Sequence, residues 1–348
     1  VSAPCGLFFT SYAQESALFP SRFLKASMAL FFVALVVLPP WMNSYHVSVL
    51  CLINIAVIGA VSLNLLTGSC GQISLGHGAF VGVGAYTAGV LAAKGVPFLL
   101  ALPASGLLAA LAGMLFGLPS LRLKGIYLAI STLAAQLILE YVFLHWESVT
   151  GGSNGLAVMP PEIFGYAFDN DLKMFYLTLA AASLCALGAA NVLRSRLGRA
   201  FVSIRDHYLS AEIVGVSLFG YKLRAFGLSS FLAGVSGALW AHYTMFLSPE
   251  QFGIGLSISY LAMIIIGGMG RVAGAVYGAV FITVLPEALN ALSASAEAWM
   301  PGMTSNLMAL KGGVFGLALI LFLLFEPEGL AHRWRLIKAY WKLYPFAH

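Results

Sequence analysis

Charge is scarce in this chain: of its 348 residues only 9% are Asp, Glu, Lys or Arg, against about 25% in ordinary globular proteins. So few charges cannot cover a water-soluble fold of this length, which disfavours a soluble enzyme, a nucleic-acid binder and a secreted scaffold together. Cysteine is scarce as well. Cys5, Cys51, Cys70 and Cys185 are scattered, with no CxxC pair and no partnered His, so neither a disulfide framework nor a zinc site is indicated. Each reads as a small apolar residue in or near a helix. The seven His residues form no i, i+4 metal pair, and there is no HExxH and no glycine-rich loop ending in Lys-Ser/Thr. Any dependence on ATP must therefore come from a partner. Residues 1–21 contain Pro4, Glu15 and Pro20 and lack a basic start before an apolar run, unlike a signal peptide.

What is abundant is apolar: 60% of the residues are hydrophobic and the mean hydropathy is +0.91, the composition of a polytopic membrane protein whose apolar surface faces lipid. A hydrocarbon core about 30 Å thick needs ~20 apolar residues of helix. Apolar runs predict an all-α protein with about ten transmembrane or half-helix segments, at 26–42, 47–66, 77–93, 97–118, 125–145, 173–192, 225–246, 256–270, 272–290 and 309–325. The pair at 256–290 is interrupted at Gly267-Gly268-Met269-Gly270-Arg271, so it reads either as two spans or as two half-helices of a re-entrant hairpin. Net charge is +5, and its placement decides orientation, because cytoplasmic segments collect Lys and Arg. With the N-terminus inside, only Lys94, Lys173 and Lys311 fall outside, while the longest outside loop carries Glu147, Glu162, Asp169 and Asp171. Both termini are predicted cytoplasmic: a segment 1–25, a transmembrane domain 26–330 and a basic tail 331–348. The inside loop 194–224 contains a stretch, 198–216, without proline, which predicts a short surface helix.

Between two apolar stretches lies a polar, glycine-rich interruption containing Asn64, Gly71, Gln72, Ser74 and His77. Irregular backbone at membrane depth persists only where protein buries it or where it lines a cavity, so these residues read either as pathway and interhelical partners or as a cytoplasmic turn capped by glycines. Glu140 lies about one turn inside a predicted span and Glu287 near the end of another; such acids are functional or, this close to the interface, snorkelling or structurally hydrogen-bonded. No chain of titratable residues crosses the spans, which argues against a proton-coupled secondary transporter. Glycine, 37 residues, recurs at GxxxG spacing, as at Gly78/Gly82, Gly113/Gly117 and Gly274/Gly278, where helix backbones can approach closely.

The ordered blocks 64–68, 71–80, 84–88, 125–133, Thr150-Gly151-Gly152-Ser153-Asn154-Gly155-Leu156, 198–222 and Ser248-Pro249-Glu250 with 267–274, closed by 325–330, resemble the permease subunits of branched-chain amino acid ABC importers, of the LivM type, over 47–330. One departure is Asn154, where many relatives carry an acid. The resemblance implies a multi-pass subunit of the bacterial inner membrane, not itself an enzyme, in a complex with a homologous second permease of the LivH type, two cytoplasmic ATPases that bind ATP and Mg, and a periplasmic amino-acid-binding protein; nucleic acid is not a partner, membrane lipid is. It implies alternating access, with a coupling helix at about 203–216 bearing Arg205, Asp206, Ala211, Glu212 and Gly215. Asn64, Gly71, Gln72, Ser74, His77, Tyr86, Thr132 and Glu140 are expected at the pathway or its gate. Thr150, Gly151, Gly152, Ser153 and Asn154 are expected to face the binding protein, and Gly267, Gly268, Gly270 and Gly274 to act as hinges. A helix N-terminus or backbone nest is expected to receive the substrate carboxylate. Relatives that carry urea, amides or aromatic acids leave the cargo open, and a standalone secondary transporter is the rival of another class.

Overall fold

The computed structural model describes residues 22–120, 125–163, 165–297 and 328–343, with positions 313, 316, 317, 320–322 and 324. Residues 1–21, Arg122, Lys124, most of the expected span at 309–325, and 326–327 lie outside the described residues. The architecture is all-α and polytopic: α1 (Arg22–Val37), α2 (Ser44–Leu63), α3 (His77–Ala93), α4 (Phe98–Ser120), α5 (Ile126–His145), α6 (Asp171–Arg194), α7 (Arg196–Ile213), α8 (Leu218–Thr244), α9 (Ile254–Gly267), α10 (Val272–Glu297) and α11 (Leu330–Leu343). Six segments are long and apolar enough to cross a membrane, namely Ser44–Ser69, Phe98–Leu118, Ile126–His145, Asp171–Arg194, Pro249–Gly267 and Val272–Asn290; α1 and α3 are shorter apolar helices.

Two differences from the sequence reading have clear causes. The span expected at 225–246 begins earlier, at Leu218, and runs for 27 residues. Although long enough, α8 is not among the six apolar spans. It is the central helix, packed most extensively on α4 and α3, and a helix covered by protein needs no lipid-compatible surface. Its serines bond neighbouring backbone: Ser229 Oγ donates to Ser62 O at 2.8 Å and Ser236 Oγ to Ile55 O at 2.9 Å. The half-helix reading of 256–290 does not hold for both members, since α10 has 26 residues, about 39 Å at 1.5 Å each. Only α9, with 14 residues, is short.

Small residues set the closest approaches, as the GxxxG pattern suggests. A Cβ on Gly84 would lie 2.3 Å from Gly234 Cα, so α3 and α8 meet backbone to backbone. A Cβ on Gly278 would lie 1.7 Å from Met263 O, which fixes α10 against α9. Opposite ends of the bundle carry opposite charge. Glu147, Glu162 and Asp169 share one end with the 2-residue strand pair Leu156–Ala157 and Phe246–Leu247; the other end holds α7, the 268–271 turn and α11. Towards the acidic end, Tyr45 Oη donates to the Glu287 carboxylate and Ser44 Oγ to that of Asp171, tying α2 to α10 and α6. Glu287 is thus hydrogen-bonded between helices.

Candidate functional site

The polar interruption is a broken helix. α2 ends in a π-helical turn, Asn64–Ser69, after which residues 71–76 run without helix until α3 begins at His77. Gly71 allows the break by adopting φ 71°, a conformation open mainly to glycine. Burial then alternates as in a strand, with Gln72, Ser74 and Gly76 buried and Ile73 exposed. A second segment passes the same region. Leu247 packs at Gly89, Phe252 at Gly82, and Gly253 and Ser257 at Gly78, so residues 247–257 descend along α3 towards its start. Both α3 and α9 therefore begin partway along the length of the bundle.

The first N–H groups of α3, unpaired in any helix, are satisfied by side chains of other helices. Gly78 N donates to Ser257 Oγ at 2.8 Å and Ala79 N to Gln136 Oε1 at 2.9 Å. Gln136 also accepts from Ser257 Oγ at 3.1 Å and donates from Nε2 to Phe252 O at 2.6 Å. Leu75 N donates to Thr132 Oγ1 at 3.0 Å. These three donors are occupied and not open to a carboxylate. Thr132, Gln136 and Glu140 form one i, i+4, i+8 stripe on α5; the Glu140 carboxylate lies against Gly253, where a Cβ would be 3.6 Å from Oε1. The sequence reading missed Gln136 and Ser257, although the spacing between Thr132 and Glu140 pointed to the former. His77 Nε2 lies 2.7 Å from Ser62 Oγ and 3.2 Å from Gly59 O. A carbonyl only accepts, so a bond from this ring to Gly59 O requires the Nε2–H tautomer.

Buried polar atoms without a partner gather at this break. Among the described residues, Asn64 Nδ2, Gln72 Oε1, Ser74 Oγ, His77 Nδ1 and Tyr86 Oη have none; outside the region the same holds for His242 Nε2. Tyr86 lies 4.8 Å from Phe143 and 5.8 Å from Phe252, ring to ring. Orphan groups of this kind are costly inside a bundle.

At the basic end three expected groups converge. Arg205 Nη1 donates to Gly68 O at 2.9 Å, and Nε donates to Asp206 Oδ1 at 2.9 Å. Gly270 N donates to Asn64 Oδ1 at 2.8 Å. Arg205 and Asp206, expected at the ATPase contact, are thus joined to each other and to the π turn. Helix α7 is broken at His207 (φ −153°, ψ 87°), so the surface helix is two pieces rather than one rod over 203–216. Beyond the break Ala211 is buried, whereas Leu209, Glu212, Ile213 and Val214 are exposed. Gly215 has φ 90° with open space around it; its requirement is backbone conformation, not avoidance of a clash. Gly267 and Gly274 are in close contact, a Cβ on Gly267 falling 1.9 Å from Gly274 O, while Gly268 and Gly270 turn with φ 107° and 81°.

At the acidic end, Thr150 is buried and its Oγ1 donates towards Phe143 O at 2.7 Å and Trp146 O at 2.8 Å, closing α5. Gly151, Gly152 and Gly155 have φ of 74°, 55° and 74°, and Ser153 and Asn154 are exposed at the tip of this turn. Residues 151–155 have the bare spacing of a nucleophile elbow, but a helical turn, Glu147–Thr150, precedes them instead of a strand. Asp169 accepts from Lys173 Nζ at 2.7 Å, which holds its carboxyl below the ordinary carboxylate value.

The family described as branched-chain amino acid transport system, permease component, matches residues 45–323. The chain is 33% identical over 330 residues to the high-affinity branched-chain amino acid transport system permease protein LivM of Escherichia coli, covering 86% of this chain and 74% of that protein. It is 27% identical over 294 residues to the autoinducer 2 import system permease protein LsrC of Escherichia coli, covering 81% and 84%. It is 23% identical over 239 residues to the probable branched-chain amino acid transport permease protein LivM of Methanocaldococcus jannaschii, covering 67% of each. No solved structure matches.

Proposed function

The chain belongs to the branched-chain amino acid transport permease family, and from that premise we propose that it is the membrane-spanning subunit of an ATP-driven importer of leucine, isoleucine and valine. In this reading it sits in the bacterial inner membrane with about ten transmembrane or half-helix segments. It pairs with a homologous second permease and two cytoplasmic ATPases, and a periplasmic binding protein delivers the amino acid. ATP and Mg belong to the ATPases. The segregation of Arg194, Arg196, Arg199, Arg205, Arg271, Arg333, Arg335 and Lys338 to one end of the bundle supports a cytoplasmic position for that end.

The observation that carries the transport reading is the broken α2–α3 segment with its unpartnered buried polar atoms. In secondary transporters discontinuous helices at membrane depth form the substrate site, and the same arrangement is read here as the pathway of the importer. The branched side chain needs only apolar surroundings, and discrimination among amino acids rests largely with the binding protein. The exposed piece of α7 with Glu212 serves as the ATPase contact. Motion of α7 reaches the break through Arg205, whose guanidinium holds Gly68 O; tilting of spans about the glycines at 267–274 opens the pathway in alternation.

The test is uptake of radiolabelled leucine, isoleucine and valine into proteoliposomes holding this chain with its second permease and ATPases, the binding protein being added outside. ATP-dependent uptake is expected. Uptake of urea or aromatic acids alone would refute the substrate assignment, and uptake by this chain without ATPases would favour a secondary transporter.

A further inference from the structure

Helix α11 leaves the bundle beside the glycine loop. Gly329 turns with φ 78° against the backbone of Gly268, and Ala331 is buried next to it. Farther along, the helix is uncovered: Arg333, Trp334, Arg335, Leu336, Ile337, Lys338 and Tyr340 are all exposed. On a helical period Leu330, Trp334 and Ile337 share one stripe, with Lys338 on one flank, Arg333 on the other and Arg335 towards the far face. The Lys338 ammonium lies 5.6 Å from the Trp334 ring centre, so its stem follows the apolar stripe while its charge reaches the edge. From Leu330 to His348 the sequence has Arg333, Arg335, Lys338 and Lys342 and no Asp or Glu. Glu328, two positions before the helix, is paired with His332 at 2.6 Å.

We propose that α11 is a membrane-surface helix that seats its Trp334 and Ile337 stripe in the adjacent leaflet and binds anionic lipid headgroups through Arg333, Arg335 and Lys338. Positive charge alone would suit nucleic acid or an acidic protein. The exposed row of Trp, Ile and Tyr beside it does not, and matches the interfacial plane, where amphipathic basic helices lie. The attachment point gives the seat a consequence, because the loop under Gly329 continues to Gly270, which is bonded to Asn64 at the break. Lipid held by α11 therefore sets the height of the loop that borders the π turn. This inference rests on the orientation proposed above, which is tested separately by labelling at Ser210.

The full chain is reconstituted in nanodiscs of phosphatidylcholine alone or with phosphatidylglycerol, with a nitroxide on Ile337→Cys and the four native cysteines replaced by alanine. Collision with oxygen, which concentrates in the bilayer, is compared with collision with a water-soluble nickel chelate. In phosphatidylglycerol the label is expected to favour oxygen. Each basic residue near an anionic surface contributes about a factor of five, so Arg333→Gln/Arg335→Gln/Lys338→Gln weakens seating about a hundredfold and restores nickel access. Arg333→Lys/Arg335→Lys keeps the charge and the depth, which separates lost charge from lost helix. Equal nickel access in both lipids, unchanged depth in the triple glutamine variant, or seating that requires an ATPase subunit would overturn the proposal.

Discussion

Replacing Gln136 by leucine removes a polar junction while nearly conserving volume. Gln136 is fully buried and makes three hydrogen bonds, of 2.9 Å to Ala79 N, 3.1 Å to Ser257 Oγ and 2.6 Å to Phe252 O. Ser257 Oγ keeps Gly78 N at 2.8 Å, so the variant orphans chiefly Ala79 N and Phe252 O. Interhelical bonds inside membranes average about 0.6 kcal/mol, which for three gives about 2 kcal/mol. Two orphaned buried backbone groups at about 1–3 kcal/mol each give about 2–6 kcal/mol. The two accounts meet at about 2 kcal/mol of destabilisation for Gln136→Leu. The assay is reversible unfolding in mixed micelles followed by tryptophan fluorescence. Gln136→Glu keeps the acceptor and, when protonated, a donor to Phe252 O, and is expected to lose less. A loss below about 0.5 kcal/mol for Gln136→Leu, or an equal loss for both, would refute the claim that these bonds secure the starts of α3 and α9.

Gly84→Val is expected to cost at least about 3 kcal/mol by forcing a side chain into the Gly234 backbone, whereas Gly188→Val, with open space around it, stays near wild type in the same unfolding assay. Glu212→Ala and Gly215→Leu are expected to reduce uptake and substrate-stimulated ATPase activity together while the chain still folds; strain at Gly215 supplies about 1–3 kcal/mol, and wild-type rates in both variants would count against coupling through this surface. Ser210→Cys is expected to react with a membrane-impermeant maleimide in inside-out vesicles and not in spheroplasts; the reverse pattern inverts the topology. Gln72→Cys and Ser74→Cys are expected to react with a small thiol reagent at rates that change with nucleotide, and slow, unchanging rates would make the break a static turn.

The sequence carried the apolar spans well because lipid imposes a length and a composition that local residues must meet: 77–93 coincides with α3, and 125–145 with α5 but for its first residue. It carried α8 poorly. Lys222 and Arg224 look like the end of a loop, yet Lys222 is only 7% exposed, because the bundle shelters it. The polar break was legible as an interruption, but not the identity of its partners. Gly68 and Arg205 are 137 positions apart, and Asn64 and Gly270 are 206 apart, and no local pattern encodes such pairings. For the same reason the bond from Arg205 to Gly68 O was not legible in the sequence, where Arg205 read only as a charge directed at a partner.

The sheltered character of α8 bears on how the chain is made. A segment entering the bilayer by itself is judged by the translocon on its own apolarity, with polar and charged residues near the helix centre opposing entry. Leu218–Thr244 presents Ser229, Ser230, Ser236 and Gly227, Gly234 and Gly237 to its surroundings, groups that hydrocarbon does not stabilise and that α2, α3 and α4 do. These three helices precede it in the chain and are already available when it emerges. The expected consequence is an ordered biogenesis, in which the central helix enters as a late insert into an assembled shell and damage to the α3–α4 pair surfaces first as a topogenesis defect in α8, before any loss of transport is measured.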